Sequence, residues 1–184
     1  AINDGQLEVD VNGKYQLTKD AIPAFFHRNE IRGLVEKEKN EPEHFDNCAK
    51  YILALQEDPE VLVEESETQH LGLCQLRILV REGFPKKVCA LRNGMLISDS
   101  LSRLKNFSDF KEFVAVVECK TKKGNELLRA MEPPRHDDFE PDRLPTKDEQ
   151  RKGAQAIRDL SSWIRSSSPA RPPCGTNAMM LMFA

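Results

Sequence analysis

Four short apolar runs rich in β-branched residues, at 61–68, 71–81, 87–97 and 113–119, constrain this chain more than any other feature. Each has the length and composition of a strand, and Glu82-Gly83-Phe84-Pro85 separates the second run from the third. The first three read as a meander and the fourth as a further strand of one sheet, whose apolar surface has to be covered by helices. Phe45, Cys48, Ala49, Ile52, Leu53 and Leu55 recur at helical spacing between Glu43 and Gln56, and Asp58-Pro59 stops that helix. A helical turn is expected at 101–107, and a helix from about 125 to 131 ends at Pro133-Pro134. Thr146 and Glu149 match a capping box, in which each side chain satisfies a backbone N–H of the other. It opens a last helix whose stripe of Ala154, Ile157, Leu160 and Ile164, with Trp163 beside it, should dock on the sheet.

The expected fold is therefore α+β: a mixed, mostly antiparallel sheet of about four to five strands, helices packed on one face, and a C-terminal helix. Four segments follow from the pattern. Residues 1–42 read as a hairpin and charged linker. Ile2, Leu7, Val9 and Val11 fall into strand alternation, Asn12-Gly13 supplies the turn, and Tyr15 and Leu17 resume it. Because the alternation starts at once, this segment is expected to continue a domain upstream of Ala1. Residues 43–145 form the α+β domain, 146–168 the C-terminal helix, and 169–184 a flexible tail, Pro/Ser-rich and then Met-rich.

With 39% hydrophobic and 31% charged residues, the 184-residue chain is too apolar to be disordered throughout. No stretch approaches the roughly 18 apolar residues of a membrane span. Five cysteines, Cys48, Cys74, Cys89, Cys119 and Cys174, show no CxxC spacing and read as buried thiols of a reducing, cytoplasmic compartment. A net charge of −3 predicts no overall attraction to nucleic acid or acidic membranes, with Arg81 to Lys87 as a local basic stretch.

The sharpest chemical pattern is the strand Phe113-Val-Ala-Val-Val-Glu118-Cys-Lys120. Metal-dependent nucleases place an aspartate and such a glutamate on Mg²⁺, a hard cation that prefers oxygen ligands, while the lysine steadies the attacking water. Asp109, Glu118 and Lys120 are the candidates for that reading, with Asp99 further upstream; the bland reading is a strand turning polar where it emerges. A second cluster runs from Gly124-Asn125 through Arg129 and Glu132 to Arg135, His136, Asp137 and Asp138. Arg129 and Glu132 share a helix face and could simply pair, and three adjacent residues rarely bind one metal without distant help. His27, His44 and His70 stand alone. No Gly-x-Ser-x-Gly, Walker loop or Gly-x-Gly-x-x-Gly occurs, so a self-contained hydrolase, P-loop or dinucleotide enzyme lacks its signature.

Ala1-Ile-Asn-Asp-Gly-Gln-Leu-Glu-Val, Val88-Cys-Ala-Leu-Arg-Asn-Gly-Met95-Leu-Ile97 and Gly124-Asn125 through Glu132-Pro-Pro-Arg-His136-Asp137 resemble the region that follows the ATP-binding domain in bacterial GHKL-type ATPases, relatives of MORC proteins and the ninety-kilodalton heat-shock chaperone. The resemblance implies a transducer domain with a ribosomal-protein-like β-α-β fold that senses nucleotide held upstream. In the chaperone group a basic strand, a Val-Val-Asp strand and an Asn…Arg-Glu helix follow one another; Lys87 to Ile97, Phe113 to Glu118 and Asn125…Arg129…Glu132 keep that order. Asn125 and Arg129 stand one residue further apart than in that pattern, and the glutamate does not follow the arginine directly. Arg129 is the implied γ-phosphate sensor, with Lys87, Arg92 and Asn125 as further nucleotide-side candidates. ATP and Mg²⁺ would sit in the upstream domain, with none bound by this chain alone. The implied partners are that ATPase domain and other protein subunits, as in a bacterial antiviral system. Nucleic-acid contact through the intact system and dimerisation stay open.

Overall fold

A computed structural model describes residues 2, 5, 7–37, 42–101 and 103–169. The Met-rich tail and Cys174 lie outside the described residues, as does most of the expected alternation before Leu7. The hairpin is present: β1 (Val9–Val11) and β2 (Tyr15–Leu17) pair antiparallel around Asn12 and Gly13, both at positive φ (54° and 65°). These are the two residue types that tolerate such a turn, and the Gly13 N–H donates to the Asp10 carboxylate at 2.7 Å to close it. Two short helices follow, α1 (Ile22–Phe25) and α2 (Asn29–Val35), then α3 (Pro42–Leu55), against which Phe26 packs through Phe45 with ring centroids 4.9 Å apart.

The main sheet contains β3 (Leu62–Thr68), β4 (Gly72–Val80), β5 (Lys87–Arg92), β6 (Met95–Ser98) and β7 (Phe113–Cys119), in the order β3-β4-β7-β5-β6. Three pairings are antiparallel and β5–β7 is parallel, which makes the fold α+β with a mixed, mostly antiparallel sheet. Two expectations need correction. The run at 87–97 is two strands, because Asn93 and Gly94 both take positive φ (49° and 71°) and reverse the chain. The meander is broken as well, since β7 enters between β4 and β5. Its burial explains this: six of its seven residues are fully buried, and a strand apolar on both faces belongs in the middle of a sheet covered on both sides.

Both faces are in fact covered, where helices on one face were expected. Phe113, Ala115 and Val117 point to the side of α4 (Lys122–Met131) and α5 (Lys147–Ser167), packing with Leu128, Met131, Leu160 and Ile164. Val114 and Val116 point the other way, to Tyr51 and Ala54 of α3. Each fully buried Val, Leu, Ile, Phe or Met side chain here contributes about 1.5–3 kcal/mol. Helix α4 begins earlier than the periodicity shows, capped by Thr121, whose side chain accepts from the Gly124 N–H. A Cβ at Gly124 would lie 2.2 Å from the Leu71 carbonyl oxygen and 2.4 Å from Cys119 Sγ, so glycine is what lets the first turn of α4 rest on the strand ends. The Thr146/Glu149 capping box forms as expected at the start of α5. At 101–107 the described residues hold turns, closed by Leu104 N–H on Leu101 O at 2.8 Å, instead of the expected helical turn. Among the described residues no helix is long and apolar enough to cross a membrane.

Candidate functional site

Because β5 and β7 run parallel, their C-terminal ends emerge together, with Leu91 opposite Glu118 and α4 starting just beyond. The next residue on β5 is Arg92, and its guanidinium is buried. It grips Glu132, the C-cap of α4, with two donors: Nε to Oε1, and Nη2 to Oε2 at 3.0 Å. His136 Nδ1 donates to the same Oε2 at 2.8 Å. Only 1% of the Glu132 side chain is exposed. Burial works to raise its carboxyl, but the hydrogen bonds and charges of Arg92 and His136 outweigh it and hold the group below the usual carboxylate range. His136 takes φ 52°, a left-handed backbone that brings it back onto Glu132 four residues earlier.

Around this anchor lie several other candidates. The Asn125 side-chain amide donates to the carbonyls of Cys119 and Thr121, both at 2.9 Å, and so ties the first turn of α4 to the end of β7. Its Oδ1 is buried with no hydrogen-bond partner among the described residues. Glu118 accepts the Gly94 N–H at 3.1 Å and pairs with Lys120. Arg129, in the last turn of α4, is exposed and joins no ion pair among the described residues. Beside the Gly94 turn, on the α3 face, opens an apolar cavity of about 410 Å³ lined by Phe26, Tyr51, Ile52, Leu55, Leu91 and Leu96.

The opposite end of the strand pair gathers a separate group. Lys87 pairs with Glu43 at 3.2 Å and Asp99 at 3.7 Å, and the Tyr51 hydroxyl donates to Asp99 at 3.0 Å. Burial first, then the Asp99 charge, holds the Tyr51 phenol protonated. Lys87 and Arg92 therefore stand about 16 Å apart along β5, five steps of roughly 3.3 Å. Of the four nucleotide-side candidates, Arg92, Asn125 and Arg129 share one end and Lys87 does not.

The nuclease candidates are not brought together either. Glu118 and Lys120 pair with each other at the C-terminal end of β7, whereas Asp109 precedes its N-terminal end, which lies about 16 Å along the strand from Glu118 by the same rise. Among the described residues no group of three or more His, Cys, Asp or Glu side chains is placed to hold a metal ion. The His136, Asp137 and Asp138 run does not converge: His136 goes to Glu132, and Asp137 pairs with Arg135 at 3.3 Å. Glu132 is also not the partner of Arg129 on its own helix. Sequence reasoning missed the Arg92–Glu132 pairing, which joins residues 40 positions apart; the signal available was a charged residue at the end of each of two apolar elements.

Fold and site together define an α+β domain whose parallel strand ends are locked to a helix by a buried Arg–Glu–His cluster. Comparison with protein-family models, curated proteins and solved structures finds no match.

Proposed function

We propose that this chain is the transducer and interaction module of a GHKL-like ATPase, sensing ATP held with Mg²⁺ by a preceding domain and coupling its hydrolysis to a protein partner. One observation carries the reading. Arg129 projects from the last turn of α4 into solvent, and the residue that caps that same helix, Glu132, is clamped to the end of β5 by Arg92. A guanidinium is always charged and forked, suited to an oxyanion such as a γ-phosphate. A helix tied at its cap to the sheet passes displacement on to the domain instead of bending. Asn125 holds the other end of α4 to β7, so its role here is to position the helix. The apolar cavity on the α3 face has the size of a recognition pocket, commonly about 300–1,000 Å³, and stands beside these strand ends as the partner-side feature. A cytoplasmic, multi-component bacterial defence system is the setting this reading implies.

The test is ATP turnover by the intact gene product carrying Arg129→Ala. Turnover should fall on the order of 10³-fold, the scale of other catalytic arginines, while stability changes by no more than about 0.5 kcal/mol, as for an exposed residue. Unchanged turnover removes Arg129 from this role.

A further inference from the structure

Cys74 and Cys119 face each other across β4 and β7. The hydrogen bonds of that ladder place them more closely than the register alone does. Lys120 N–H donates to Leu73 O at 2.8 Å and Arg81 N–H to Glu112 O at 3.1 Å, so these flanking residues form the hydrogen-bonded pairs. Antiparallel pairs alternate, which makes Cys74 and Cys119 a non-hydrogen-bonded pair, with α-carbons about 4.5 Å apart and side chains at their closest. That separation lies inside the window of roughly 4.4–6.8 Å that a disulfide needs. Both side chains point into the core between the sheet and α4.

We propose that Cys74 and Cys119 form a reversible cross-strand disulfide, an oxidative modification site that takes a small hydroperoxide as its oxidant. The roles divide by environment. Cys119 is the more accessible of the two, at the strand end beside Thr121, and its contact with Cys74, foremost, lowers its thiol to about 6 against burial, while the same contact and burial push Cys74 up. Cys119 is therefore the attacking thiolate and Cys74 the resolving thiol. The Cys119 sulfur attacks one peroxide oxygen and the O–O bond breaks. This leaves a sulfenic acid on Cys119 and, with the proton that Cys119 gave up, one water. Cys74 sulfur then displaces the hydroxyl from that sulfur, and the hydroxide leaves as a second water with the Cys74 proton. Two thiols are oxidised, one hydrogen peroxide is reduced, and an S–S bond is made. The void bordering the pair is only about 10 Å³, less than hydrogen peroxide needs, so oxidation proceeds when the first turn of α4 opens over Cys119.

The consequence falls on α4. Its first turn rests against Cys119 Sγ at Gly124, and the N-cap hydroxyl of Thr121 donates to Leu71 O at 2.5 Å beside it. Drawing that sulfur toward Cys74 removes its support from the helix start. The experiment treats the reduced full chain with hydrogen peroxide, alkylates the remaining thiols and maps the peptides. The expected product is a Cys74–Cys119 linked peptide, lost on reduction with dithiothreitol and absent from Cys119→Ser, together with faster amide exchange at 121–125. Recovery of both cysteines in unlinked peptides overturns the proposal, as does linkage of Cys48 to Cys89 in their place. Unchanged exchange in the linked protein overturns the coupling to α4. The mapping uses the unmutated chain, so a variant that fails to fold cannot mask the result.

Discussion

The two ends of the parallel pair β5–β7 both carry charged clusters, and they differ in water. At the N-terminal end Lys87 keeps a third of its side chain exposed and shares Asp99 with a tyrosine, while Glu43 is 81% exposed. At the C-terminal end the Arg92 and Glu132 side chains are 9% and 1% exposed. The same kind of ion pair therefore has opposite meanings. Solvent screens the first, and its long side chains give up rotamer freedom to hold it. The second has lost its hydration, so each charge depends on the other. A cluster of the second kind is a structural lock, and it lies under the helix that presents Arg129.

The comparison predicts very unequal responses to mutation. Arg92→Ala leaves a carboxylate buried without its main partner and should cost about 3–5 kcal/mol, read as a lower urea midpoint. Replacing both partners, Arg92→Met with Glu132→Leu, should recover most of that loss. A full-sized loss in the double variant would mean that the lock is not electrostatic.

Acid should find the same lock. The Glu132 carboxyl is held below its ordinary value, so its stabilisation is complete above the unfolded value of about 4.3 and is lost as pH falls through the lower folded value. Urea midpoints measured between about pH 6 and pH 3 should decline at the acid end, and Glu132→Gln should flatten that decline. An identical decline in the variant would assign it to other carboxylates. The smallest effect belongs to the exposed end, where Lys87→Ala should change stability by less than about 1 kcal/mol and respond to salt. A larger change there would erase the contrast between the ends.

Much of the fold was legible because it is written in local pattern. Thr146 and Glu149 announce α5, the spacing of Ile157, Leu160 and Ile164 sets the face it buries, and the β-branched run at 113–119 is β7 to the residue. Asn12-Gly13 announces the small hairpin, whereas the same dipeptide at Asn93-Gly94 is masked by the apolar residues on both sides, which continue the strand pattern through it. Of the candidate site, Arg92, Asn125 and Arg129 were legible as residues, and their grouping was not. Asp109 with Glu118 looked equally plausible on the page, and strand geometry separates them.

What the sequence by itself determined is the set of elements and most of their buried faces, since helical and strand periodicity, caps and turns depend on neighbours within a few residues. What only the tertiary structure decided is the placing of β7 between β4 and β5, and with it two contacts: Arg92 on Glu132, and Cys74 on Cys119. Those contacts are set by strand order and register, which arise from burying both faces of one sheet at once. No local stretch of chain carries that information.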